Sequence, residues 1–296
     1  MTIPWIPFVW EGVEIDGRRF EKVGLFVKGE LPELGLSGAF QFDLGAPNSV
    51  LYENNVLSER EKINAHIDPD RHIVVNGVEC PMIDTPLVLN PQVALDQLGL
   101  FLGFGDGDVD VTSDGFPLLG TVGADVVNEK CLIIDFPQQR LAIVHEVPEE
   151  FVANAAIAPL QRTPSGHILL TFTVDGVDKR VLFDTGSSIF DLMTDKEQWL
   201  EITWGEVVDT LEILSWGQKQ MVYGGVARGD FRLGHVALPL NTIYRIDDEG
   251  WAQFNRSHDL LGLMGNAPFL GSLIFLDLVR GRFGVTSSPG MNGAPN

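Results

Sequence analysis

Apolar residues in this chain come in short runs punctuated by Gly, Pro, Asn and Asp, and few stretches keep the i, i+3, i+4 spacing of an amphipathic helix. The pattern predicts a chain built mostly of β-strands with a few short helices. Strands are predicted over residues 23–28 and 38–42, joined by the Gly- and Pro-containing stretch 29–37, and again near 49–52. Asn76-Gly77, between Val74-Val75 and Val78, fits the type I′ turn of a hairpin. Residues 85–89, 131–135 and 140–144 continue the strand pattern. Ser58, with Glu61 as capping-box partner, marks a short helix to about Ala65. The opening arm, residues 1–20, carries Trp5, Phe8, Trp10 and Phe20 and is expected to pack onto a surface, whereas 145–159 reads as a linker. Beyond it, strands at 168–174 and 180–183 flank the turn Asp175-Gly176. A helix follows near 195–200, then strands at 273–277 and 282–285, and a Gly-, Pro- and Asn-rich tail from Ser287 that is expected to fray.

The order of these elements repeats. Asp43 to Asp184 is 184 − 43 = 141 residues, while Gly123 to Gly265, Asp135 to Asp277 and Arg140 to Arg282 are each 142. Four landmarks within one residue of each other imply one β-rich unit duplicated and fused, with halves at 1–148 and 149–296. In both copies an apolar strand ends in an Asp-x-Gly turn, and an apolar-Gly segment later precedes a strand that ends in Asp.

The carboxylate at the end of Val181-Leu182-Phe183-Asp184 needs a reason, because a buried strand disfavours charge. The hydroxyls of Thr185, Ser187 and Ser188 and the amide of Gly186 can donate to it and keep it ionisable at the floor of a cleft. Asp-Thr-Gly is also an ordinary strand exit through an Asx-turn. Recurrence at Asp43-Leu44-Gly45-Ala46 is what gives the turn weight.

Composition narrows the classes. With 296 residues, 45% hydrophobic and 21% charged, the chain is expected to fold as a globular protein with a large core. A net charge of −21, from 20 basic and 41 acidic residues, argues against nucleic acid or an anionic membrane as partner and favours a basic or neutral ligand. The start has no basic leader pattern and no run long enough to span a membrane, which gives the expectation of a cytoplasmic protein. Two cysteines, Cys80 and Cys131, are too few for a disulfide framework and read as buried thiols. No metal is expected: His66, Asp68, Asp70 and His72 share a polar loop with Pro69. The acidic run 105–110 has Val111 and Pro117 where a calcium loop needs Gly and Glu. Neither Ser187 nor Ser188 lies in a Gly-x-Ser-x-Gly elbow, and no dinucleotide loop is present, so no cofactor is expected.

Phe183-Asp184-Thr185-Gly186-Ser187-Ser188 resembles the active-site turn of the aspartic peptidases, pepsin-like and retropepsin-like. Leu263-Met264-Gly265 and Thr121-Val122-Gly123 resemble that family's apolar-apolar-Gly element. The resemblance runs from about Val23 to Val285. It implies an all-β, bilobal acid-protease-like double barrel with pseudo-two-fold symmetry, complete as a monomer. Asp43 and Asp184 would activate water on an extended peptide or protein substrate, and Gly45, Thr185, Gly186 and Ser187 would support them. Leu44 and Ala46 stand where the family carries hydroxyls, which keeps open a catalytically degenerate peptide-binding module. Val78-Glu79-Cys80-Pro81 aligns with Val236-Ala237-Leu238-Pro239 at 236 − 78 = 158, which is 158 − 141 = 17 more than the Asp spacing. The extra chain is expected to hold a substrate-covering flap at 211–223, with Trp216 and Gly217 near its tip and Tyr223 on it. The first half is expected to lack one.

Overall fold

The computed structural model describes residues 2–75, 78–89, 93–95, 100–103, 112–215 and 218–286. The expected turn at Asn76-Gly77, the acidic run 105–110, Trp216, Gly217 and the tail from Ser287 lie outside the described residues. What is described is mostly β-sheet with a few short helices. The first half contributes β1 (Ile6–Ile15), β2 (Arg18–Leu31), β3 (Leu36–Phe42), β4 (Val50–Tyr52), β5 (Ile67–Val75) and β6 (Val78–Ile83). It continues with β7 (Leu87–Leu89), β8 (Val93–Leu95), β9 (Leu100–Gly103), β10 (Leu118–Val122), β11 (Cys131–Asp135) and β12 (Arg140–Val144). The second contributes β13 (Ala155–Arg162), β14 (Ile168–Val174), β15 (Val177–Phe183), β16 (Leu192–Thr194), β17 (Asp209–Ser215) and β18 (Gln218–Val226). Then come β19 (Phe231–Leu233), β20 (Val236–Ala237), β21 (Thr242–Ile246), β22 (Gly262–Met264), β23 (Leu273–Asp277) and β24 (Arg282–Thr286).

The pairing repeats with the sequence. In the first half β3 lies between β2, antiparallel, and β10, parallel. In the second, β15 lies likewise between β14 and β22. Flanked on both edges, β3 and β15 end in apolar runs, which is why Ala39-Phe40-Gln41-Phe42 and Val181-Leu182-Phe183 show little polar alternation. A sheet shared by both halves runs β1, β12, β11, β23, β24, β13. At its centre β11 and β23 are antiparallel with Ile133 opposite Phe275. The recurring Asp and Arg are cross-strand partners there: Arg140 Nε donates to Asp135 at 3.0 Å, and Arg282 Nη2 donates to Asp277 at 2.6 Å. One apolar core runs through both halves, including Phe40, Phe42, Val122, Leu132, Phe183, Met264 and Phe283.

Several expectations change. The hairpin alignment through Val236 is overturned by the hydrogen-bond neighbours: β6 pairs with β9 as β18 pairs with β21, and 218 − 78 = 140 keeps the Asp spacing. β20 matches β8 instead, since β7 pairs with β2 and β8 as β19 pairs with β14 and β20. The first half therefore has a hairpin, β5–β6, at the place where it was expected to lack one. The similar Val-x-x-Pro strings misled because a local match carries no pairing information. The linker is structured as well, since 155–159 of β13 pair with β24. Ser58 lies in a 3-10 turn, and the helix Arg60–Ala65 has Glu59 at its N-cap with no side-chain cap, so the capping box does not form. The helix Lys196–Ile202 does start as predicted, with Asp195 accepting from the amides of Glu197 and Gln198. Residues 6–15 and 18–31 form a long hairpin about Asp16-Gly17, whose φ values of 50° and 73° suit a type I′ turn. Neither Cys80 nor Cys131 forms a disulfide. No helix among the described residues is long and apolar enough to cross a membrane.

Candidate active site

Asp43 follows β3 and Asp184 follows β15, and each backbone amide still binds the parallel neighbour. Asp43 N donates to Val122 O at 2.9 Å and Asp184 N to Met264 O at 3.0 Å. The chain then turns so that Gly45 N donates to Asp43 Oδ1 and Gly186 N to Asp184 Oδ1, both at 2.8 Å. The turns face each other. A Cβ on Gly45 would stand 2.5–2.8 Å from the carboxyl atoms of Asp184, and one on Gly186 would stand 2.5–2.7 Å from those of Asp43. Only glycine leaves the carboxyl groups room to meet. Burial, then the charge and hydrogen bond of Asp43, push the Asp184 carboxyl well above the usual carboxylate range, against the pull of the Gly186 and Gly45 amides. The Asp184 carboxyl therefore keeps a proton to higher pH than an isolated carboxylate would.

The scaffold beneath the pair is one-sided. Thr185 Oγ1 donates to Phe42 O at 2.8 Å and accepts from Leu44 N at 2.9 Å, which ties the second turn to the first. No return bond is possible from Leu44, which is fully buried in the apolar core. Ala46, also buried, contributes its carbonyl to Ala124 N at 2.7 Å. Of the groups expected to hold the Asp184 carboxylate, the Gly186 amide does so. Thr185 bonds across to the other half, and Ser188 Oγ donates to Thr185 O at 3.0 Å, because these buried backbone groups also need partners. Ser187 lines the cleft.

Two supporting residues were missed in the sequence. Buried Asn266 donates through Nδ2 to Thr185 O and to Ser188 Oγ, each at 2.8 Å. In the first half Asp125 accepts from Ser49 Oγ at 2.7 Å and Ser49 N at 3.0 Å, and Gly123 N donates to Ser49 Oγ at 2.9 Å. The available signal was a polar side chain within two residues of each apolar-apolar-Gly element.

The carboxyl pair opens into a cleft of about 1360 Å³. Its first-half wall includes Phe26, Gln41, Tyr52 and Asn55. Its second-half wall is more apolar, with Leu182, Phe190, Met193 and Leu263. The helix Glu249–His258, which no prediction covered, adds Trp251 and Phe254, stacked at 5.8 Å. Asp248 caps it by accepting from Trp251 N at 2.7 Å. An Asp before aromatics at three-residue spacing was its signal. The buried Trp251 indole N–H has no partner among the described residues.

Two hairpins complete the lining. One is β17–β18, through Glu212, Ile213, Lys219 and Gln220, so the stretch expected as a flap does border the cleft. Tyr223 is not among the lining residues; the Arg245 guanidinium lies 4.6 Å from its ring centre. Tyr223 shares the face of Lys219 but stands four residues further along β18, between Thr210 and Arg245 at the base of the hairpin and beyond the cleft wall. The other is β1–β2, through residues 11–16 and Arg19, while no described residue of β5–β6 is in the lining. Among the described residues no three His, Cys, Asp or Glu side chains converge to hold a metal ion. No protein-family model matches this chain, and no curated protein matches it.

Proposed function

We propose that this chain is an aspartic peptidase-type hydrolase in which a water is activated between Asp43 and Asp184. The reading rests on the mutual contact of the two turns, each glycine lying against the other half's carboxyl group, with the Asp184 carboxyl held protonated by burial and by Asp43. The ionised member takes a proton from water as the water oxygen bonds to the scissile carbonyl carbon, and the protonated member gives its proton to the carbonyl oxygen. In the second step the pair protonates the leaving nitrogen and takes a hydroxyl proton from the diol. The C–N bond then breaks, and the dyad returns to its one-proton state. Gly45, Thr185, Gly186 and Ser187 hold the geometry, and no metal or covalent nucleophile is needed.

The matched pairing of residues 1–148 and 149–296 supports reading them as the two lobes of an acid-protease-like double barrel, so one chain supplies both carboxylates. The substrate is an extended peptide. Carboxylates of Glu11, Glu14, Asp16, Glu212 and Asp248 outnumber Arg19 and Lys219 in the lining and favour a basic or neutral sequence over an acidic one. A second reading, peptide binding without cleavage, draws on the missing hydroxyls at Leu44 and Ala46. Peptide cleavage between about pH 3 and 8 decides: Asp43→Asn and Asp184→Asn should each lose roughly a hundredfold or more. Activity that survives either substitution sinks the dyad, and wild type that binds peptide without cutting it selects the second reading.

A further inference from the structure

The two halves differ in their first hairpins. Ile6 sits opposite Leu141 and Ala158 opposite Phe283, and 283 − 141 = 142 is the repeat, so Ile6 and Ala158 are equivalent. Beyond that point β1 continues for 15 − 6 = 9 residues but β13 for only 162 − 158 = 4. Five extra residues at roughly 3.4 Å each carry the Asp16-Gly17 turn about 17 Å further.

That extension reaches the other half's hairpin. Arg18 Nη1 donates to Asp209 Oδ1 at 2.6 Å and to Oδ2 at 2.8 Å. Tyr244 OH donates to Asp209 Oδ2 at 2.6 Å, and Glu212 N donates to Asp16 Oδ2 at 3.2 Å. Ile15 and Phe20 pack against the apolar cluster of the second-half wall. The Arg18 hydrogen bond holds the Asp209 carboxyl below its usual range, so both partners stay charged over a wide range of pH.

These contacts close a ring. From Arg18 the chain of hydrogen bonds runs through β2 and β3 to Asp43, and through Leu44 and Thr185 to β15. It continues through β22, β16, β21 and β18 to β17, and returns from Asp209 to Arg18. Residues from every side of this ring line the one cleft, so the cleft is its bore. A strand cannot be laid sideways into a closed bore. It is threaded by an end, or the ring opens at the Arg18–Asp209 contact, where Arg18 is half-exposed.

We propose that Arg18 and Asp209 determine specificity: with their hydrogen bond made, the cleft accepts peptide by a free end, and a chain without an accessible end enters only when the pair parts. The proposal rests on the reading of Asp43 and Asp184 as a peptide-cleaving dyad. Its test compares one unstructured basic peptide in linear form and as a head-to-tail ring large enough to run extended through the cleft. Wild type should cut the linear form at least about tenfold faster. Arg18→Ala and Asp209→Asn should raise cleavage of the ring about tenfold while leaving the linear rate unchanged. Equal cutting of both forms by wild type, or an unchanged ratio in the variants, overturns the proposal. If wild type cuts neither form, the peptidase reading fails and takes the substrate assignment with it. The clasp is then decided by hydrogen exchange without substrate: faster exchange confined to residues 12–16 and 209–213 in Arg18→Ala supports it, and unchanged exchange there overturns it.

Discussion

Around Asp184 the next residue is Thr185, whose hydroxyl binds Phe42 O and Leu44 N. Around Asp43 the matching place holds Leu44, fully buried among apolar side chains. The turns have the same shape and nearly the same amide contacts, yet only one supplies the bridge. A single hydroxyl that both donates and accepts satisfies two backbone groups of the opposite half. The first turn is held by apolar burial, and by Asp125 behind Ser49 where the second uses Asn266. Symmetry of the backbone has survived asymmetry of the side chains, with Leu44 filling by close packing the place a hydroxyl would take.

Substitutions sharpen the contrast. Thr185→Val keeps the shape but strands Leu44 N and Phe42 O in a dry site, and two orphaned groups at about 1–3 kcal/mol each predict a loss of roughly 3 kcal/mol in denaturant unfolding. A loss below about 1 kcal/mol there means that the bridge is not what joins the turns. Leu44→Thr tests the opposite side. It restores a hydroxyl but removes apolar volume from a fully buried position, and is expected to destabilise by about 2 kcal/mol. A stabilised Leu44→Thr variant contradicts the idea that packing has replaced the bond.

The last contrast reads a slope. A carboxyl whose folded pKa is raised contributes stability that is complete below its unfolded value of 3.8 and is lost as pH rises through the folded value. Asp184→Asn removes that loss, so its unfolding free energy should fall less than wild type's between acid and neutral pH. Parallel curves mean that the Asp184 carboxyl is not raised in the folded protein.

Legibility differed between the two hairpins of the first half. Asp16-Gly17 carried the same turn signal as Asp175-Gly176, so the N-terminal hairpin was readable, although its reach was not. The β5–β6 hairpin was readable too, but string similarity aligned it to the wrong partner. Trp251 was missed because a short helix of 10 residues in an otherwise β pattern gives weak periodicity.

By itself the sequence determined what is local or periodic: mostly β structure, a repeat of 141–142 residues, two Asp-x-Gly turns, and the Asp and Arg spacing that became cross-strand pairs. These follow from strand alternation, turn chemistry and counting, which need no knowledge of distant neighbours. Tertiary structure alone decided that each glycine abuts the other carboxyl, that Thr185 spans the halves, and that Arg18 meets Asp209 across 191 residues of chain. Such contacts depend on which strands become neighbours, and many pairings satisfy the same local pattern.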